Sequence, residues 1–182
     1  MKKIFALVLG TIAAAMFVSC SDNSKQNVSQ EVNTDPATKG TYKLTLMVSD
    51  KAVDQQEIIK TVVTTHTSSG EEKNDEFLAE MEDFSLTPAI DFSLPHEETI
   101  TVTQTVKEGV SLTKDSYLLG LSYRFDVSSL NDKGGVSHTQ KLEVLDVCAS
   151  TKKDKLDGNY KLVYKFYFSI NAAGEITELK ML

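Results

Sequence analysis

Two stretches decide the fold class of this chain: YLLGLSYRFDV at 117–127 and YKLVYKFYFSI at 160–170. In both, every second residue is aromatic or aliphatic, and the positions between them in the first stretch include Gly120, Arg124 and Asp126. A hydrophobic period of two is typical of a β-strand that packs one face on a core. The sequence therefore predicts strands that share an aromatic inner face.

The rest of the chain supports the same fold class. Alternation or a high content of β-branched residues predicts further strands at 42–49, 58–67, 99–112, 136–147 and 175–182. Asparagine and glycine at 131–135 and 171–174 are typical of turns. We therefore expect an all-β fold of antiparallel strands, either an up-and-down eight-stranded barrel or a β-sandwich.

One segment, residues 74–86, is compatible with two structures. Phe77, Met81 and Phe84 would share one face of a helix, whereas Phe77, Ala79 and Met81 would share one face of a strand. Helix propensity favours the first reading, and the surrounding strands favour the second. The sequence leaves both open.

The N-terminus has the pattern of an export signal. Lys2 and Lys3 precede a fifteen-residue apolar run at 4–18, which as a helix would span only about 22 Å of the roughly 30 Å hydrocarbon core. A cleavable signal peptide is therefore expected over residues 1–19. The alternative is an ordinary secretory signal in which the cysteine that follows has no role.

The end of that run, Phe17-Val18-Ser19-Cys20, resembles the lipobox of bacterial lipoproteins. That resemblance implies that Cys20 carries a lipid such as palmitate and holds the protein to a membrane. Residues 20–39 are mostly polar, so we expect a flexible tether there and a single β-domain over 40–182. The expected location is the outer membrane of a Gram-negative cell envelope, on either the periplasmic or the cell-surface side.

Charge narrows the range of partners. Removal of residues 1–19 takes away two lysines, so the formal charge of −7 becomes −9. An acidic protein is a poor ligand for nucleic acid, which requires a basic face, and for anionic lipid headgroups. We expect the membrane, through the lipid on Cys20, as one partner, with a small molecule or an envelope protein as another, and no nucleic acid.

No residue pattern indicates catalysis. His66, His96 and His138 share no metal-binding spacing, and His96, which follows Pro95, is expected in a loop. The serines lack the context of a nucleophile elbow. The acidic clusters form no calcium-loop pattern. Cys148 is expected to be a small buried residue. We therefore expect no catalytic residues, no metal, no cofactor and no enzyme activity.

The domain also resembles a known family. A Gly40–Leu46 opening strand, an Asp83–Leu86 segment and a threonine-rich strand after it are similar to the calycin-like barrel domain of small lipoproteins from Gram-negative gut bacteria. The resemblance implies a closed eight-stranded barrel over about residues 40–182. It implies no set activity and no catalytic residues.

Aromatic side chains on the inner face provide the only candidate site. In an eight-stranded barrel they could line a cavity for one small apolar or amphipathic ligand, or they could fill the core. The candidate lining residues are Tyr117, Tyr123, Phe125, Tyr160, Tyr164, Phe166 and Phe168. The predicted function is a membrane-anchored binding module for such a ligand, and the alternative is a structural or interaction lipoprotein of the cell envelope with a filled core.

Overall fold

The computed structural model describes residues 35–66, 70–78, 83–88, 91–157 and 160–182, and the backbone of 24–26 and 30–31. The strands are β1 Ser24–Gln26, β2 Gln30–Glu31, β3 Ala37–Met47, β4 Ile59–His66, β5 Glu72–Phe77, β6 Asp83–Leu86, β7 Phe92–Ser93, β8 His96–Val106, β9 Ser116–Leu119, β10 Ser122–Asn131, β11 Val136–Val144, β12 Ala149–Lys152, β13 Lys161–Ile170 and β14 Ile176–Met181. The two helices are α1 Gln55–Ile58 and α2 Lys153–Leu156.

The strands form two large antiparallel sheets and one small one. The first sheet has the order β1-β11-β10-β3-β6, with β2 also on β11 and β7 also on β3. The second has the order β14-β13-β8-β4-β5, and β12 pairs with β9 in the third. The prediction of an all-β antiparallel fold is confirmed.

The arrangement of these sheets is consistent with a sandwich, the second of the two predicted architectures. The described strands do not close into a barrel. Their order is not up-and-down either, because β3 pairs with β10 and β8 pairs with β13, each far along the chain from its partner. Long connections of this kind are common where two sheets pack face to face.

The core lies between the two large sheets. Phe125 in β10 is completely buried, and its cross-strand partners are Leu44 in β3 and Leu142 in β11. From the opposite sheet, the rings of Phe166 and Phe168 approach the Phe125 ring to 5.7 and 5.8 Å between centroids. These edge-on contacts place the aromatic faces of both predicted stretches against each other.

The domain has two distinct ends. At the hairpin end, tight turns join β10 to β11 and β13 to β14, closed by backbone hydrogen bonds from Asn131 to Gly135 and from Asn171 to Glu175. The capped end is covered by α1, α2, β9 and β12. Within that cap, the Asp54 amide donates to the Leu118 carbonyl at 3.2 Å, which ties the loop before α1 to β9.

The long strand predicted at 117–127 is interrupted at Gly120. A β-carbon on Gly120 would lie 2.0 Å from the carbonyl oxygen of Val147, so only glycine allows this close approach of the two backbones. As a result, β9 pairs with β12 in the small sheet, whereas β10 joins the first large sheet. The alternation still holds, because Tyr117 and Tyr123 are both buried.

The structure also bears on the predictions for segment 74–86 and for the tether. In the ambiguous segment 74–86, the described residues are the end of β5, Leu78 and the whole of β6, so strands and no helix are found there, whereas Ala79 and Met81 lie outside the described residues. The expected tether contains two short strands, because β1 and β2 both pair with β11, and β3 begins at Ala37. The predicted signal peptide, residues 1–19, and Cys20 lie outside the described residues.

Candidate functional site

The seven predicted lining residues are divided between two hydrophobic clusters. Phe125, Phe166, Phe168 and Tyr123 belong to the main core, with Tyr164 packed against it. The other two residues, Tyr117 and Tyr160, belong to a separate small cluster under the cap. The three phenylalanines occupy the space at the centre of the main core, where a barrel ligand was expected.

Three of the tyrosines share a partly buried region between the main core and the cap. Burial raises the pKa of Tyr123 and that of Tyr160. Burial, and then the neighbouring Tyr160 and Tyr123, raise the pKa of Tyr164 to about 12. These hydroxyls are therefore protonated at neutral pH and can donate hydrogen bonds in a region with little water.

An ion pair holds the cap together. The Asp54 carboxylate, whose side chain is 6% exposed, accepts hydrogen bonds from the Lys114 ammonium at 2.5 Å and from the Leu118 amide at 2.7 Å. Although burial raises the pKa of Asp54, the bonds from Lys114 and Leu118 outweigh it and lower the pKa below its ordinary value. Asp54 therefore stays ionised at neutral pH and fixes β9 against the loop before α1.

The adjacent Gln55 leaves one polar group without a protein partner. Its side-chain oxygen accepts a hydrogen bond from the Gly120 amide at 3.1 Å. Its side-chain nitrogen is buried and has no hydrogen-bond partner among the described residues. A buried donor of this kind costs about 1–3 kcal/mol.

A second polar cluster lies at the hairpin end and was not foreseen from the sequence. The Glu98 carboxylate accepts a hydrogen bond from the Tyr42 hydroxyl at 3.3 Å and lies 3.2 Å from the His96 ring nitrogen Nε2. The His96 ring stacks on Phe92 with 4.1 Å between centroids. The side chains of His96 and Glu98 are 29% and 13% exposed, so solvent reaches the cluster. Burial, followed by the charge of Glu98, raises the pKa of Tyr42.

His96 was expected in a loop, and the structure corrects this: it is the first residue of β8. The signal in the sequence was the alternation of His96 and Glu98, which puts both side chains on one face of a strand. Nothing in the sequence indicated that Tyr42, 56 residues from Glu98 along the chain, would join them.

The other two histidines and Cys148 do not join the polar cluster of His96 and Glu98. His66 is exposed at the end of β4, and His138 in β11 lies 3.4 Å from the Ser129 hydroxyl. Cys148 is buried, as expected, and its sulfur donates to the Lys51 carbonyl at 3.4 Å. Within the described ranges, no three histidine, cysteine or acidic side chains are grouped as metal ligands.

Comparisons with known proteins add no assignment. No family model matches the chain, and neither a curated protein nor a solved structure matches it. The resemblance to calycin-like lipoproteins therefore stays a prediction. Among the described residues, no helix has the length and apolar character needed to cross a bilayer.

Proposed function

We propose that this protein is an envelope lipoprotein, anchored through a lipid on Cys20, whose β-domain is a structural or interaction module and not an enzyme. The observation that carries the proposal is the filled core. Phe125, Phe166 and Phe168 are at most 1% exposed, and the Phe125 ring contacts the other two. Phenylalanine rings occupy the place at the centre where a barrel ligand would bind, so we infer that the domain acts elsewhere, chiefly through its surface.

The hairpin end is the surface best suited to a protein partner. The described segments at this end, residues 35–39, 70–72, 87–88, 91–99, 131–136 and 171–175, together contain two lysines and eight acidic residues. Both lysines are paired, Lys39 with Asp91 and Lys133 with Asp35. A strongly acidic end of this kind favours an envelope protein with a basic surface, because complementary charge speeds association and selects partners.

The anchor is tested by replacing Cys20. We expect Cys20→Ala to abolish labelling by radioactive palmitate and to move the protein from the membrane pellet to the soluble fraction. Cys148→Ala is the matched control, because this cysteine is buried in the domain and should leave both labelling and sedimentation unchanged. Recovery of Cys20→Ala in the pellet at the wild-type level would overturn the anchor.

The tyrosine region supports a second candidate function, the binding of a small amphipathic ligand. Tyr123, Tyr160 and Tyr164 offer protonated hydroxyls beside apolar side chains, which is the composition of many small-molecule sites. In this proposal the ligand lies between the core and the cap and leaves the three phenylalanines in place.

A thermal-shift screen with lipids and small glycans separates the two candidates. A ligand at one hundred times its Kd stabilises the folded state by about 2.7 kcal/mol. Tyr164→Phe removes one hydroxyl and should reduce that shift if the ligand binds there. A screen in which the wild-type protein responds to no compound favours the interaction module.

A further inference from the structure

Exposed apolar side chains are concentrated in one half of the domain. Leu118 in β9 is 41% exposed and Val53, in the loop tied to it, is 62% exposed. The full set of exposed large apolar residues among those described is Val53, Leu78, Leu118, Leu145, Leu162, Val163, Met181 and Leu182. The first six lie in the half nearer the capped end, Met181 ends β14, which runs toward that end, and Leu182 follows it. Single exposed apolar residues are ordinary, but their concentration at one end is not.

Charge follows the same division. The described cap segments 48–58, 107–121, 145–157 and 160 contain six lysines and eight acidic residues, a net charge of −2. The hairpin-end segments, with two lysines and eight acidic residues, have a net charge of −6. Repulsion by anionic lipid headgroups is therefore weaker at the capped end than at the hairpin end.

The chain also connects the capped end to the predicted lipid anchor. β1 runs antiparallel to β11, and its first residue, Ser24, pairs with Val144, which is the last residue of β11 and lies at the capped end. Cys20 precedes Ser24 by four residues, and four extended residues reach at most about 14 Å. A lipid on Cys20 is therefore confined close to Val144 and to the exposed Leu145 that follows it.

We propose that the capped end is the face that the domain presents to the lipid surface. This inference rests on the proposed anchor at Cys20. Pairing of β1 with β11 shortens the effective tether, and Leu118, Leu145 and Val53 then contact the headgroup–acyl boundary. The acidic hairpin end is held away from the membrane by about the length of β10, roughly 33 Å for its ten residues.

The absence of tryptophan from the chain permits a direct test. Leu118→Trp and Leu145→Trp are made separately in the full lipidated chain, with Ala172→Trp in the exposed β13–β14 turn as the matched control. Each is reconstituted in vesicles of phosphatidylcholine and phosphatidylglycerol with or without brominated acyl chains, which quench nearby tryptophan. Val53→Trp replaces either cap variant that fails to fold.

We expect brominated lipid to reduce the fluorescence of the two cap tryptophans at least two-fold and to leave the Ala172→Trp variant unchanged. Equal quenching at all positions, or none at any position in protein that floats with the vesicles, would overturn the orientation; the second outcome would mean that the cap faces solvent or a protein. Protein that does not float at all contradicts the anchor itself, so the two failures are distinguishable.

Discussion

Replacement of Phe125 by alanine is the sharpest test of the filled core. The Phe125 side chain has no exposed surface, lies between Leu44 and Leu142 in its own sheet and contacts the rings of Phe166 and Phe168 across the interface. The substitution removes the six ring carbons, and with them the contacts of the ring, from a site between the two large sheets. Because strands held by hydrogen bonds on both sides cannot move in to fill the space, a cavity should remain.

The expected loss of folding stability follows from those contacts. Burial of a phenylalanine side chain contributes about 1.5–3 kcal/mol, and each edge-on ring pair adds about 0.5–1.5 kcal/mol. Measured Phe→Ala losses at rigid core sites are about 3–5 kcal/mol, so we expect the free energy of unfolding to fall by that amount. For a domain of this size the melting temperature should fall by roughly 10 °C or more.

The assay is urea unfolding of the β-domain prepared without the lipid anchor. Unfolding is monitored by far-ultraviolet circular dichroism, and Tyr167→Ala is the control. Tyr167 lies on the outer face of β13, between Phe166 and Phe168 in sequence, and its hydroxyl donates a hydrogen bond to the Glu97 carboxylate. We expect the control to unfold close to the wild-type midpoint. A Phe125→Ala midpoint that is also close to wild type would mean that the centre of the domain is loosely packed, and it would refute the filled core.

Two further predictions test the junction at the cap and the tyrosine region. Gly120→Ala should lower the urea midpoint strongly, because its β-carbon would collide with the Val147 carbonyl. Gly134→Ala is the control: its β-carbon meets no neighbouring atom, so only the strain of its positive φ should lower the midpoint. Equal losses of stability in the two variants would contradict this account. The raised pKa of Tyr164 makes stability fall above pH 10, because the unfolded tyrosine loses its proton near pH 10 and the folded one near pH 12. Tyr164→Phe should unfold with a shallower pH dependence than wild type between pH 10 and 12, and identical slopes in urea titrations would contradict the assignment.

The candidate lining residues illustrate how far sequence reasoning reached. Alternation correctly placed Tyr123, Phe125, Phe166 and Phe168 on inward faces, because a period of two reports which side of a strand is buried. It could not separate Tyr117 from them, since the break at Gly120 depends on the approach of Val147 from a distant part of the chain. The sequence therefore predicted the buried faces of the strands and not the division of these residues between two clusters.

The polar cluster at the hairpin end shows the same limit. His96 and Glu98 are close in the chain, and their shared face was readable from their spacing. Their contact with Tyr42 arises because β3 and β8 lie in opposite sheets that face each other, with Phe168 of the second sheet against the Tyr42 ring. No local pattern encodes which strand of one sheet lies opposite which strand of the other.

The sequence by itself determined the all-β class, the inner faces of its strands and the pattern at Cys20 that predicts a lipid anchor. Those features depend on residues a few positions apart. Only the tertiary structure decided the strand order, the division into two large sheets and a small one, the pairing of β1 with β11 and the position of the exposed apolar side chains. These depend on contacts between distant segments, and such contacts form according to the packing of the whole core.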